Sequence, residues 1–125
     1  MIYGIGTDIV ATARIAQILE RYGDAFAGRI LAPDEWHSFK SSGTPARFLA
    51  KRFAAKEAFA KAAGTGLRTP VTLRNISVGH NDLGRPEFHF QPALSAWLVQ
   101  QGISAQHLSV SDEKDMAAAF VVLER

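Results

Sequence analysis

The chain contains no cysteine, which excludes disulfides, thiolate metal sites and a cysteine nucleophile and is compatible with a reducing compartment. No apolar run approaches the eighteen or so residues that cross a bilayer, and the first residues lack the basic-then-apolar pattern of a secretory leader. A cytoplasmic protein without membrane contact is the expectation. Low-complexity runs, internal repeats and linker-like stretches are also missing. Of 125 residues, 47% are hydrophobic and 21% charged, enough for one domain, 1–125, with a real core.

The net charge is only +2, yet residues 1–61 carry nine Lys/Arg against six Asp/Glu while the remainder carries five against six. This basic first half would attract nucleic acid, an acidic protein or a phosphorylated small molecule, and charge alone does not choose among them.

The chain is organised around Arg47 to Gly66, RFLAKRFAAKEAFAKAAGTG. Alanine and lysine are strong helix formers, no proline interrupts the run after Pro45, and Gly64-Thr65-Gly66 supplies a stop, so a helix of four to five turns is expected. At roughly 100° per residue, Arg52 and Lys56 fall in the sector of Phe48, Leu49, Phe53 and Phe59, where apolar residues belong. Two readings stand side by side. In one, Glu57 and Lys61 form an i,i+4 surface pair while Arg52 and Lys56 snorkel outward. In the other, Glu57 is a lone carboxylate among Lys51, Arg52, Lys56 and Lys61, an arrangement suited to a metal-bound polyphosphate.

The opening MIYGIGTDIV reads as a strand from Ile2 to Ile9, with Tyr3, Ile5, Thr7 and Ile9 on one face and Gly4, Gly6 and Asp8 on the other. The bare glycine track implies close approach of a backbone, helix or ligand, with Asp8 at its end as either a cap or a functional carboxylate. GIGTDI lacks the third glycine and the distal acid of a dinucleotide fingerprint. A helix follows from Thr12 with the stripe Ile15, Ile18, Leu19, Tyr22, ended by Gly23. Arg14 and Arg21, seven apart, share one of its faces, either as solvated charges or as a docking face for an acidic partner.

Arg29-Ile30-Leu31 reads as an apolar turn. Pro33 with Asp34 and Glu35 in the first turn starts a short helix that buries Trp36 and Phe39, and His37 is a surface residue. Leu73, Ile76, Val78 and then Phe88, Phe90 predict a β-hairpin around the turn Asn81 to Pro86, whose His80 and His89 make no metal motif. A third helix over Pro92 to Gln101 is stopped by Gly102, and two short strands, His107 to Ser111 and Ala117 to Leu123, close the chain around the turn DEKD.

Asp8 and Glu57 are the two acids set among small residues instead of surface charge clusters. Magnesium takes only one or two protein carboxylates, the rest of its shell being water and substrate phosphate. Helix cations and the Gly64-Thr65-Gly66 loop, with its N–H groups and hydroxyl, would receive phosphate.

The segments GIGTDIV (4–10) and RFLAKRFAAKEAFAKAAGTG (47–66), with RIL before the second helix, GRP at the hairpin and a closing SVSDEKDMAAAFVVLE, resemble the holo-acyl-carrier-protein synthases, the short bacterial class of 4′-phosphopantetheinyl transferases. The likeness covers essentially the whole chain. It implies an α+β fold with a long central helix packed against an antiparallel sheet. The implied activity, in fatty acid biosynthesis, is transfer of 4′-phosphopantetheine from coenzyme A to a serine of an acyl carrier protein, releasing adenosine 3′,5′-bisphosphate. Asp8 and Glu57 match the residues that hold Mg²⁺ against the pyrophosphate, and Lys61 matches the lysine near the phosphates. Arg52 and Gly64, Thr65 and Gly66 match the region that receives the nucleotide end, bordered by Arg85-Pro86. Arg14 and Arg21 match the helix that meets the acidic carrier protein. The resemblance also implies a homotrimer with active sites between subunits.

One position departs from the pattern. Where many relatives have histidine after the late strand, this chain reads Ser109-Val110-Ser111-Asp112. The general base therefore stays open between Glu57, Asp8 through a bound water, and a metal-bound water. The competing class is a small basic binding module for nucleic acid or an acidic protein, without catalysis.

Overall fold

The computed structural model describes residues 1–125 as an α+β chain. Strand β1 (Ile2–Ala11) leads into helices α1 (Thr12–Tyr22) and α2 (Asp24–Ile30), a 3₁₀ turn at Pro33–Glu35, α3 (Trp36–Ser41) and the long α4 (Pro45–Ala63). A second 3₁₀ turn at Leu73–Asn75 precedes β2 (Ile76–His80), β3 (Pro86–Phe90), α5 (Pro92–Gln100), β4 (Ala105–Asp112) and β5 (Met116–Glu124). The antiparallel sheet has the order β1-β5-β4, and β2 and β3 form a separate hairpin.

The glycine track on β1 is where α4 crosses the sheet. A Cβ on Gly4 would lie 1.9 Å from the Ala62 carbonyl oxygen, and one on Gly6 would lie 1.9 Å from that of Ala58. So the close neighbour implied by the bare face is the chain's own central helix, and small residues on both sides let the two backbones meet. Ala54, Ala55, Ala58 and Ala62 are buried in one core with Val10, Ala117, Ala119, Val121 and Leu123. The other flank of α4 packs on the hairpin, where the Phe59 ring meets Phe88 and Phe90 at 5.3 and 5.2 Å between centroids. Burying a phenylalanine this fully contributes roughly 2–3 kcal/mol.

Helix boundaries follow local chemistry. Pro45 occupies the first turn of α4, and Gly64 ends it in the left-handed region at φ 80°. Two details differ from expectation. Residues 24–30, expected to end in a mere apolar turn, form α2, because seven residues with only Ala27 and Ile30 buried are too few for a visible 3.6-residue period. The last two strands run one or two residues beyond the expected ends because β5 pairs on both sides, with β1 and with β4. On the face of the sheet away from α4, Ile5, Ile9 and Phe120 stay exposed at 56%, 63% and 47%. No helix is long and apolar enough to cross a membrane.

Candidate functional site

Register brings Asp8 and Glu57 together. Asp8 is near the end of β1, Glu57 is in the fourth turn of α4, and both line a cleft of about 310 Å³ with Val10, Arg14, Ile15, Ile18, Phe26 and Phe53. Burial raises the Glu57 carboxyl above its usual range, the Asp8 charge raises it further, and Lys61 opposes both. Lys61 does not close the expected pair with Glu57. Its Nζ donates to Asp8 Oδ1 at 3.1 Å and to the Thr7 carbonyl at 3.0 Å.

Two carboxylates facing one cleft repel each other, and that repulsion is what a divalent cation relieves. The donor set fits Mg²⁺, which needs no more than two protein carboxylates. No group of three or more His, Asp or Glu is present to make a fuller cage.

Arg52 and Pro86 line a different cleft, of about 320 Å³, together with Phe48, Lys51, Val78, His80 and Asp112. Arg52 is 8% exposed, and its guanidinium lies 4.4 Å from the centre of the Phe48 ring. Burial lowers its proton affinity, with Glu35 and Asp34 opposing. His80 is also held below its usual range, by burial and then by Arg52 and Lys51, which is the mark of a cationic surrounding. Within one chain, then, the carboxylate pair and the cationic cleft are separate surfaces.

Lys56 is neither a snorkelling surface lysine nor a phosphate contact. It is fully buried, and its three N–H bonds go to Glu35 Oε1, the Ile30 carbonyl at 2.6 Å and the Leu73 carbonyl at 3.0 Å. Arg52 also leaves the snorkelling reading, paired to Glu35 Oε2 at 3.4 Å. The loop after α4 has fewer free donors than expected. The Gly64 and Gly66 N–H groups bond the carbonyls of Lys61 and Ala60, and the Thr65 hydroxyl donates to the Gly66 carbonyl. These N–H groups cap the helix, as the left-handed glycines permit.

Arg14 and Arg21 are exposed on α1, and Arg14 borders the carboxylate cleft. Beside it, Ile18, Tyr22, Ala25, Phe26 and Arg29 form an apolar groove with a cationic end. Asp112 is bonded to Arg47, whose hydrogen bond holds the carboxyl below its ordinary range.

Residues 4–121 match the 4′-phosphopantetheinyl transferase superfamily, in its ACPS branch. The chain belongs to that superfamily. It is 60% identical over 125 residues to a holo-[acyl-carrier-protein] synthase of Neisseria meningitidis, covering all of both chains. The crystal structure of holo-[acyl-carrier-protein] synthase from Neisseria meningitidis superimposes with a TM-score of 0.97 at 60% identity and full coverage of both chains. A holo-(acyl-carrier-protein) synthase of Bacillus anthracis, solved in complex with coenzyme A (3′,5′-ADP), gives a TM-score of 0.81 at 38% identity, over 98% of this chain and 96% of that one.

In this transferase-superfamily chain the least legible residue was Glu35. It looked like a helix-first-turn acid after Pro33, yet it is 2% exposed and accepts from Lys56, Arg52 and two backbone N–H groups. A signal was present: two cations on the apolar face of one helix require a buried anion. Arg29, Arg47 and His80 carried no comparable sequence signal, because each enters its groove or pair through tertiary packing.

Proposed function

We propose that the chain is a holo-acyl-carrier-protein synthase. It transfers 4′-phosphopantetheine from coenzyme A to a serine of an apo acyl carrier protein and releases adenosine 3′,5′-bisphosphate. The observation that carries this is the convergence of Asp8 and Glu57 on one cleft in a chain that belongs to the superfamily. The reading as a basic binding module loses one of its helix cations, since Lys56 is fully buried on Glu35.

Asp8 and Glu57 would hold Mg²⁺ at the pyrophosphate. When bound, the ion supplies charge stabilisation to the phosphoryl oxygens and the leaving group. Lys61, anchored on Asp8 and the Thr7 carbonyl, sets the Asp8 carboxylate and brings a positive charge to the same end of the cleft. The serine hydroxyl attacks the β-phosphorus, the bond from that phosphorus to the bridging oxygen breaks, and adenosine 3′,5′-bisphosphate departs. The hydroxyl proton goes to a base within the cleft, either Glu57 or a water ordered there. Asp112 is poorly suited to this task, since Arg47 stabilises its ionised form.

Arg52, Lys51 and Pro86 would receive the nucleotide end in the cationic cleft, with the Gly64–Gly66 loop closing α4 beyond it. The two clefts lie apart within one chain, and the exposed Ile5, Ile9 and Phe120 offer an apolar sheet face for association. Both features support a homotrimer whose active sites lie between neighbours. Arg14 and Arg21 would dock the acidic carrier protein beside the carboxylates. This would be a cytoplasmic step of fatty acid biosynthesis.

The test is direct. The protein is mixed with apo acyl carrier protein, coenzyme A and Mg²⁺, and mass spectrometry reads the carrier. A phosphopantetheine adduct that disappears with chelator supports the assignment, and no adduct on several apo carriers from well-folded protein overturns it.

A further inference from the structure

Glu35 is the one buried acid that the proposed chemistry does not use, and its two oxygens do different jobs. Oε1 accepts from Lys56 Nζ and from the Ala32 N–H at 2.8 Å, which anchors the carboxylate to α4 and to its own turn. Oε2 accepts from Arg52 Nη1 at 3.4 Å and from the Val78 N–H at 2.9 Å. Arg52 is on α4 and Val78 on β2, and both line the cationic cleft. A single oxygen thus ties the helix wall of that cleft to its hairpin wall. With the Phe48 ring 4.4 Å from it and Glu35 as its anionic partner, the Arg52 guanidinium is held from two sides.

We infer that Glu35 is a positioning residue for the nucleotide end of coenzyme A, holding the Arg52 guanidinium in place at the wall of the cleft. This rests on the reading that the cationic cleft receives the nucleotide. A free arginine side chain must lose rotamer freedom on meeting a phosphate, and one already held by a buried carboxylate has lost it during folding. The neighbouring Asp34 gives a natural control. It accepts from the Ser77 hydroxyl at 3.0 Å, fastening the same turn to β2 without touching Arg52.

Calorimetric titration with adenosine 3′,5′-bisphosphate and steady-state kinetics test the assignment on Glu35→Gln, Arg52→Ala, their double variant and Ser77→Ala. Glu35→Gln is expected to weaken bisphosphate binding about tenfold and to raise KM for coenzyme A by a similar factor. KM for the carrier protein and kcat at saturation should stay near wild type. The double variant should bind no more weakly than Arg52→Ala, because both changes remove one interaction. Ser77→Ala should lower the melting temperature while leaving bisphosphate affinity unchanged. Should Glu35→Gln not fold, Glu35→Gln/Lys56→Met replaces the buried pair by neutral groups of similar size and is expected to give the same loss of affinity. Unchanged affinity in a folded Glu35 variant, or losses that add with Arg52→Ala, overturn the positioning role alone. A wild-type protein that does not bind the bisphosphate, with KM for coenzyme A unmoved in Arg52→Ala, overturns the nucleotide reading of the cleft and the positioning role with it.

Discussion

Lys61 Nζ lies 3.1 Å from Asp8 Oδ1, so the helix lysine is bound to the strand carboxylate and not to Glu57 one turn before it. Its charge still opposes the shift of Glu57, which burial and Asp8 push upward. In Lys61→Ala the Glu57 carboxyl should therefore titrate still higher than in the wild type. Carboxyl-resolved NMR titration of the metal-free protein reads this directly, and an unmoved Glu57 would show that Lys61 does not moderate the pair.

Glu57→Gln separates catalysis from folding. Turnover should fall by at least about a hundredfold, because one of two candidate metal carboxylates is gone. Stability should not suffer. A carboxyl raised in the folded state binds its proton more tightly there, so wild-type stability falls as pH rises from the ordinary value of 4.5 through the raised one. The amide lacks that loss, and thermal melts above this window should place metal-free Glu57→Gln at or above wild type.

Gly6→Ala tests the crossing of β1 and α4. The added methyl would meet the Ala58 carbonyl oxygen at 1.9 Å and the Ala62 nitrogen at 2.7 Å, both backbone atoms that cannot rotate away. Relief requires α4 to lift from the sheet, at a cost of about 3 kcal/mol or more. Denaturant unfolding measures it, and a change within experimental error would mean that the crossing is loose.

Lys56→Met leaves Glu35 buried with Arg52 as its sole cationic partner at 3.4 Å. Removing one member of a buried pair costs about 3–5 kcal/mol, far more than a surface lysine could. A loss below about 1 kcal/mol in chemical denaturation would contradict the structural role.

Asp112 should titrate below its usual 3.8, held down first by the Arg47 hydrogen bond and also by Lys51. The contribution to stability is present above 3.8 and is lost as pH falls through the lowered value. In Arg47→Ala the Asp112 carboxyl should move up toward 3.8, as followed by NMR.

Patterns local to a few turns were open to inspection along the chain. The α4 helix needed only alanine-rich composition, Pro45 and Gly64. The hairpin needed its alternating apolar residues around a turn, and the match to a known transferase pattern at GIGTDIV and KEA singled out Asp8 and Glu57. Partners were hidden wherever they came from another element. Glu35 resembled a cap until it met Lys56 and Arg52, and Lys61 resembled a partner of Glu57 until β1 placed Asp8 within reach.

By itself, the sequence determined most of the elements and their order, since these depend on propensity and period within a short window, while the resemblance to a known family implied the α+β class and marked Asp8 and Glu57. Tertiary structure alone decided which charges are neutralised and which face a cleft. An ion pair is formed by distance in space, and the burial that makes Glu35 obligatory for Lys56 exists only once α4, the Pro33–Glu35 turn and β2 have packed.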